Sequence, residues 1–498
     1  MQKPVCSGTD CGSIPAMRPL LFMLTVCAWM CLLPQGRGSS PEWFRYRGPN
    51  MNGISPESGQ LGTMPVGGLT TLWTSQVGTG HASVVISGGL LYTTGNRTNR
   101  DTVYCLNVNN GQVVWSHSFA AALDANQYEG GTSATPTIDG ERLYTISKWG
   151  DLFCFNRTDG TILWQTNIQA AHQLRLAIWG IASSPLIDGN RLYLNAGGRG
   201  MALNKNNGAL IWISNTNRNG YATPVPWLAE GVPSLMIFSQ RELVSVRASD
   251  GLPQFAIPWT SFQDVNACDP IPYQGRFLVT SDGRPGSMIT YSNATLSTNW
   301  SYSSLSTHLS PGVVMSNHLY TFVGNVKTGP FYFICVDMDT GIQRWVRTDL
   351  LVGAVIGVGG RLVVLDGSGK LLLLNANPSD SQNNAVKLQV LNTTTWAPPA
   401  FNRGTLYVRD ISGTLKALAL PWTTAAIPEL GIQKTPQPGR VVVTWPTSAT
   451  NYQLQAAPLP ALSGGWVNVT SSPVIFGNEK VVTNEASGTG RAFRLLKP

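Results

Sequence analysis

Eight polar residues near the start of repeated strand units are the residues of this chain best suited to chemistry. Histidine can act as a base or a metal ligand near neutral pH, and aspartate as a carboxylate base or a hard oxygen ligand. The eight residues are His81, Ser83, Ser133, Ser183, Thr223, Asp269, His308 and Ser310. Two interpretations stay open: a small polar pocket for a ligand or ion, or solvated residues at the mouth of a channel.

The types and spacing of these residues argue against catalysis. Asp269 is a lone carboxylate in the segment NACDPIP, whereas paired acid–base work needs a second titratable group. His81 and His308 belong to non-adjacent units, so we expect no shared metal ion. The chain has no G-x-S-x-G, P-loop, H-E-x-x-H or Rossmann fingerprint. We therefore predict no catalytic, cofactor-binding or metal-binding residue.

Composition excludes two broad classes of protein. The 498 residues carry 34 Lys and Arg against 26 Asp and Glu, for a net charge of +8, and the basic residues are scattered. Nucleic-acid binding needs clustered basic residues, so we exclude it. Charged residues are 12% of the chain, about half of the roughly 25% usual in soluble domains. The 43% hydrophobic content excludes global disorder.

The front of the chain has the organisation of a secretory signal peptide. Arg18 precedes an apolar run over 20–33, and the small residues Gly36 and Gly38 follow it. That run is too short to span a bilayer comfortably. We predict a leader over 1–38, with Met17 as an alternative start. The mature chain is then exported to the periplasm, the outer membrane surface or the extracellular space, without a transmembrane span.

A repeated unit dominates residues 67–420. Copies at 84–115, 135–164 and 184–212 each have a short apolar strand, a Gly turn, a strand containing Leu-Tyr, an alternating third strand, an Asn-Gly or Asp-Gly turn and a Trp strand. Alternating apolar residues favour half-buried strands, and the turns supply positive φ. Each unit is therefore predicted to be a four-stranded antiparallel meander.

The aromatic residues of the fourth strands recur roughly every 45 residues, a period typical of propellers. They are Trp73, Trp115, Trp164, Trp212, Phe255, Trp300 and Trp345, and we expect them to form the core between blades. Most lie four residues after a turn glycine, although Leu296 replaces that glycine before Trp300. The last unit, 396–420, has no Trp strand, so Trp73 is predicted to complete it and close an all-β ring of eight blades.

The segments DLFCFNRTDGTILW, RGMALNKNNGALIW and GKLLLLNAN resemble the PQQ-like (pyrroloquinoline quinone) repeat family over residues 67–420. The segment WFRYRGPNMNGISPES within 39–66 is similar to the start of secreted bacterial propellers of this family. The resemblance implies an eight-bladed β-propeller from a bacterium. The family includes quinoprotein dehydrogenases, and also proteins without a quinone such as the propeller subunit of the bacterial outer-membrane assembly machinery.

The resemblance leaves three functions to weigh. A quinoprotein dehydrogenase would need PQQ, a Ca²⁺ held by Glu, Asn and Asp oxygens, and a carboxylate base. The neighbouring cysteine pair that many of these enzymes show is absent here, as is a haem motif. We therefore expect a non-catalytic scaffold, without a cofactor, that binds an envelope or extracellular protein partner, a ligand or a glycan. The alternatives are a PQQ/Ca-dependent dehydrogenase and a polysaccharide-binding propeller.

The remaining features predict packing and a second domain. Cys105, Cys154 and Cys335 occupy one repeat position and are expected to be small buried side chains. Trp149 and Trp179 are expected either to stack on a ring ligand or to pack between blades. Residues 421–438 are predicted to be a linker, and residues 439–498 resemble a small fibronectin type III-like β-sandwich.

Overall fold

Alternating apolar residues bounded by glycine turns build antiparallel strands along most of the chain. The computed structural model describes residues 42–424, 430–435, 437, 439–447, 452–458, 466–476, 479–485 and 491–496. The predicted leader, 1–38, lies outside the described residues. Helical structure in the described part consists of Ile168–His172 and a 3-10 turn at Phe262–Asp264. No helix in those ranges has the length and apolarity to span a membrane.

Eight four-stranded sheets, which we call blades 1 to 8, lie within residues 70–419 of the described chain. Blade 1 contains Val85–Ser87, Leu90–Arg97, Arg100–Asn107 and Val113–Ala120. Blade 2 contains Thr137–Asp139, Arg142–Ile146, Asp151–Asn156 and Ile162–Asn167. Blade 3 contains Leu186–Asp188, Arg191–Leu194, Met201–Asn204 and Leu210–Ile213. Blade 4 contains Val225–Ala229, Val232–Phe238, Glu242–Arg247 and Pro253–Pro258.

The second half of the ring repeats this order. Blade 5 contains Ile271–Tyr273, Arg276–Ser281, Arg284–Ser292 and Thr295–Tyr302. Blade 6 contains Val313–Met315, His318–Val323, Tyr332–Asp337 and Gln343–Arg347. Blade 7 contains Ala354–Val358, Arg361–Leu365, Lys370–Asn375 and Leu388–Gln389. Blade 8 contains Ala400–Asn402, Thr405–Arg409, Thr414–Ala419 and, from the start of the chain, Thr70–Gln76.

A tryptophan of one blade lies against a turn glycine of the next blade. The indole N–H of Trp115 in blade 1 donates to the carbonyl of Arg157 in blade 2 at 2.8 Å. Gly160 of that turn has φ +77°, and a Cβ there would lie 2.7 Å from the Trp115 ring. The glycine therefore supplies both the left-handed turn and the space for the indole. The same donor and acceptor positions join Trp73, Trp164, Trp212 and Trp300 to the following blade. Trp345 donates to Asn377, one position further along a turn that has no glycine.

The one aromatic that is not tryptophan has a different neighbour. Phe255 of blade 4 packs in one apolar cluster with Leu296 of blade 5, and Leu296 stands where the other units have glycine. Its ring also stacks on Phe277 with centroids 5.6 Å apart and planes at 6°. A phenyl ring is smaller than an indole, so the next blade has room for a side chain at this joint.

The predicted closure of the ring is observed. The first strand of the propeller, Thr70–Gln76, pairs antiparallel with Thr414–Ala419, with Trp73 opposite Ala417. Arg409 of blade 8 is 2% exposed, and it donates to carbonyl and hydroxyl oxygens of blade 1 and of residues 78–82 at 2.7–3.0 Å. A buried guanidinium needs such partners because an unpaired buried donor is costly.

The segment predicted to be a linker, 421–438, contains two strands. Trp422–Thr424 pairs with Gly59–Leu61, because Trp422 packs edge-on against Phe401 at 4.9 Å and Gly59 leaves no side chain in the way. Gly431–Lys434 pairs with Arg440–Pro446. Composition rich in Pro and Thr conceals such short pairings.

The C-terminal residues form two sheets around a shared apolar cluster. One sheet has the order Gly431–Lys434, Arg440–Pro446, Glu479–Glu485 and Val474–Phe476, and the other has the order Val467–Asn468, Gln453–Pro458 and Arg491–Leu496. Val443, Trp445 and Val482 of the first sheet pack with Leu454 of the second. The resemblance of this module to fibronectin type III domains stays a prediction.

The cysteines are buried, as the repeat position predicts, and free. Cys105, Cys154 and Cys335 lie opposite a tyrosine of the second strand in their own blades. Burial raises the pKa of the Cys105 and Cys335 thiols to about 12. A thiol with so high a pKa is a poor nucleophile at neutral pH, so these residues serve packing.

Replacing Gly160 with alanine tests the indole–glycine joint. Gly140 is the matched control, because its φ is +57° but a Cβ there meets nothing within 4 Å. We expect Gly140→Ala to lower the free energy of unfolding by about 1 kcal/mol through backbone strain. Gly160→Ala adds a collision with Trp115 and should cost about 2–4 kcal/mol. Urea unfolding measures both, and equal losses would contradict the joint.

Replacing Trp73 with alanine tests ring closure. Trp73 is 7% exposed and its neighbour Leu72 is 50% exposed, so Leu72→Ala in the same strand is the control. We expect Trp73→Ala to cost about 3–5 kcal/mol and Leu72→Ala less than about 0.5 kcal/mol. Equal urea midpoints for the two variants would show that this strand does not hold the ring.

Candidate functional site

A cavity of about 400 Å³ lies on the propeller axis. Seven of its lining residues share one repeat position, the fourth residue before the first strand of a blade. They are His81, Ser133, Ala182, Tyr221, Ala267, Leu309 and Trp396. Repetition of the unit brings this position to the axis in every blade except blade 7, which contributes no lining residue.

The opening segment of the described chain closes one end of the cavity. The carbonyls of Trp43 and Phe44 accept hydrogen bonds from the first strands of blades 1 and 2, each at 2.8 Å. The amide of Ser55 donates to Gly357 in blade 7 at 2.8 Å. The segment therefore crosses the axis, and Tyr46, which lies between these contacts, lines the cavity. The cavity is a blind pocket with its mouth at the opposite end.

A belt of hydrogen bonds runs from blade 1 to blade 5 along the deep part of the cavity. Each bond joins a backbone N–H to a side-chain oxygen at the same repeat position of the next blade, two residues before the first strand. The bonds run from Ser83 to Thr135 (3.0 Å), from Thr135 to Ser184 (3.0 Å), from Ser184 to Thr223 (3.2 Å) and from Thr223 to Asp269 (2.9 Å). Pro311 follows in blade 6 and has no side-chain oxygen, so the belt ends at Asp269.

Asp269 is the carboxylate of the cavity wall, and it is 3% exposed. Burial raises its pKa to about 6, while the charge of Arg47 and the bond from the Thr223 amide oppose the rise. Asp269 in turn contributes, after burial, to the raised pKa of the Tyr46 hydroxyl. Tyr46 and Arg47 belong to the opening segment, which therefore shapes the charge of the cavity floor.

His81 borders the cavity as a neutral imidazole. Its ring stacks on Trp396 with centroids 5.0 Å apart and planes at 15°. Burial lowers its pKa to about 3, and the positive charges of Arg409, Lys327 and Lys148 lower it further. Its Nε2 is buried and makes no hydrogen bond among the described residues. This nitrogen is therefore an unpaired polar atom beside the cavity.

The loop over 121–131 forms part of the mouth. Lys148, itself buried, pairs with Asp124 at 2.8 Å. The indole N–H groups of Trp149 and Trp179 donate to carbonyls of this loop at 3.1 and 2.8 Å. These contacts hold Tyr128 of the loop against the cavity, where its ring lies 5.4 Å from His81.

The structure places some of the eight predicted residues on the cavity wall and others away from it. Five of the eight polar residues line the cavity: His81, Ser133, Thr223, Asp269 and His308. The prediction is corrected for Ser83, Ser183 and Ser310, which are buried and do not border it. The Ser83 hydroxyl donates to the carbonyl of Pro398. Ser184 takes the lining position instead of Ser183, because adjacent residues of an extended chain point to opposite sides.

Of the two tryptophans expected either to stack on a ligand or to pack between blades, Trp179 lines the cavity and packs on Tyr221 at 5.9 Å, whereas Trp149 donates to the loop over 121–131. Sequence reasoning missed Tyr46 and Trp396. The repeat position of Trp396, four residues before a first strand, was a readable signal. Tyr46 lies outside the repeat, so no periodic signal marks it.

Three comparisons relate the chain to known proteins. A sequence-family model described as "Outer membrane protein assembly factor BamB" matches residues 69–302. A search of curated proteins gives no match. BamB from Moraxella catarrhalis is similar in structure, with a TM-score of 0.52 and 14% identity, covering 70% of this chain and 99% of that chain.

Two enzymes share the architecture. A europium-containing methanol dehydrogenase has a TM-score of 0.55 and 11% identity, covering 82% of this chain and 90% of its own. A quinohemoprotein alcohol dehydrogenase from Comamonas testosteroni has a TM-score of 0.51 and 12% identity, covering 80% and 83%. At such identities these likenesses concern the fold. Together with the repeated indole–glycine joints, they show that the chain folds as a β-propeller, and the family match shows that residues 69–302 are similar to PQQ-like repeats.

Proposed function

We propose that this protein is a non-catalytic binding propeller of the bacterial cell envelope or its exterior, which holds a ligand in its axial cavity. The observation that carries the proposal is the blind pocket closed by Tyr46, whose walls offer aromatic rings and neutral hydrogen-bonding groups. Concave pockets of this size with a few convergent polar groups are typical ligand sites. The match to an outer membrane assembly factor supports a place in the envelope, and the loops at the mouth offer a surface to a protein partner.

The residues of the cavity do not fit the quinone and calcium ion that the dehydrogenase alternative requires. Calcium prefers six to eight oxygen ligands, several of them from carboxylates. Asp269 is the carboxylate in the wall, and one of its oxygens already accepts a bond from Thr223. The described residues contain no group of three or more His, Cys, Asp or Glu side chains able to hold a metal ion.

Paired acid–base catalysis needs two titratable groups within hydrogen-bond reach of the same substrate atoms. The groups that act electrostatically on Asp269 and Tyr46 are the Arg47 cation and the Cys268 thiol, and burial raises the pKa of that thiol to about 12. The arrangement suits recognition of a ligand better than proton transfer.

Reconstitution with PQQ tests the proposal. The purified protein is incubated with PQQ and CaCl₂, desalted, and assayed for quinone absorbance and for alcohol-dependent dye reduction. An apo-quinoprotein alcohol dehydrogenase treated in parallel is the positive control. We expect neither stoichiometric quinone nor dye reduction, because the wall lacks a calcium ligand set. One quinone per chain, with dye reduction that Asp269→Asn abolishes, would overturn the proposal in favour of the dehydrogenase.

A further inference from the structure

The deep part of the cavity contains hydrogen-bonding groups that the protein leaves unused. The hydroxyls of Ser184 and Thr223 each accept a backbone N–H in the belt, and each keeps its own O–H. Neither hydroxyl donates to another group in the described ranges. The Oδ1 atom of Asp269 accepts the bond from Thr223, while its second oxygen accepts none among the described residues. The unused groups are therefore the two hydroxyl donors, the second carboxylate oxygen of Asp269 and Nε2 of His81.

These groups surround the axis rather than lie along one side. Ser184, Thr223 and Asp269 belong to the successive blades 3, 4 and 5, and His81 precedes blade 1, across the ring from blade 5. A ligand that satisfies all four must carry hydroxyl or amine groups that point outward in several directions.

The charges nearby favour an uncharged ligand. Asp269 and Lys327 are the charged residues that line the cavity. Arg47 already lies beside Asp269, and Lys327 lies over the Trp396 ring at 5.3 Å. A cationic ligand would face these fixed cations, and an anionic ligand would face the buried carboxylate at the floor. A neutral ligand avoids both penalties.

The walls also offer apolar faces. The side chains of Tyr46, Tyr128, Trp179, Tyr221 and Phe262 line the cavity. Aromatic rings of this kind pack well against the C–H faces of a saturated ring, while Tyr and Trp keep polar atoms for hydrogen bonds. The combination of aromatic walls with donors and acceptors around the axis matches a ring that is apolar on its faces and polar at its rim.

We propose that the cavity binds the terminal sugar unit of a glycan, with sugar hydroxyls donating to Asp269 and His81 and accepting from Ser184 and Thr223. This inference rests on the proposed binding function and names its ligand. Tyr46 closes the far end, so a sugar chain enters by its end and does not pass through. The glycan beyond the first unit then lies at the mouth, where Lys327 and the loop over 121–131 meet it.

Saturation-transfer NMR with the full mature chain tests the assignment. The probes are the methyl glycosides of glucose, galactose, mannose and N-acetylglucosamine, at concentrations up to about 10 mM, with adenosine as a planar competitor. The informative variant is Asp269→Asn, which keeps an acceptor for the Thr223 amide and loses the carboxylate. Asp250→Asn, in an exposed turn of blade 4, is the matched control. A second variant, Ser184→Ala, removes one donor.

We expect at least one glycoside to bind the wild-type chain and Asp250→Asn equally. Binding should be weaker by about tenfold or more in Asp269→Asn and weaker in Ser184→Ala. Equal urea midpoints confirm that the variants fold. A cyclic glucan, which has no chain end, should not bind.

Two results would overturn the assignment: no glycoside binding in the whole panel, or binding that Asp269→Asn and Ser184→Ala leave unchanged. Tighter binding of adenosine than of every glycoside would overturn the ligand class and leave the binding function standing. The PQQ experiment tests the proposed binding function separately: stoichiometric quinone uptake with dye reduction would overturn that function, whatever the glycoside result.

Discussion

An indole ring that lies over a glycine of the neighbouring blade sets the geometry of this molecule. One turn glycine serves two purposes, since its positive φ closes the hairpin within its own blade and its missing side chain admits the tryptophan of the preceding blade. Local turn chemistry and the joint between blades therefore depend on the same residue. At the joint between blades 4 and 5, leucine at position 296 replaces the glycine and the phenyl ring of Phe255 replaces the larger indole.

The inner belt complements these outer joints. Each bond of the belt ties the amide of one blade to the side chain of the next at a fixed repeat position, so the belt links the walls of blades 1 to 5 and gives them polar groups. A hydroxyl that accepts a backbone N–H keeps one proton for another partner. The residues that close the wall therefore supply the groups that face the cavity, and structural and recognition roles coincide at Ser184 and Thr223.

The sequence predicts the ring more fully than the site. The Trp and Gly spacing predicts the blades and the closing role of Trp73, because large periodic residues mark the joints directly. The cavity residues differ in type between units, so their types carry no periodic signal, and the prediction names Ser183 where Ser184 lines the cavity. Trp396 occupies a repeat position whose residue type changes from unit to unit. Tyr46 is brought to the axis by a segment that no repeat describes.

Joining the two ends of the ring also sets the order of events in folding. The side chain of Gln76 donates to Thr414, 338 residues later in the chain. Contacts between such distant residues form late, because closing the loop costs conformational entropy before the paired strands contribute favourable free energy. Until the last blade forms, the strand at 70–76 is an unpaired edge that invites wrong partners. The chain is therefore most exposed to wrong strand pairing while it folds, and this exposure ends when Thr70–Gln76 pairs with Thr414–Ala419.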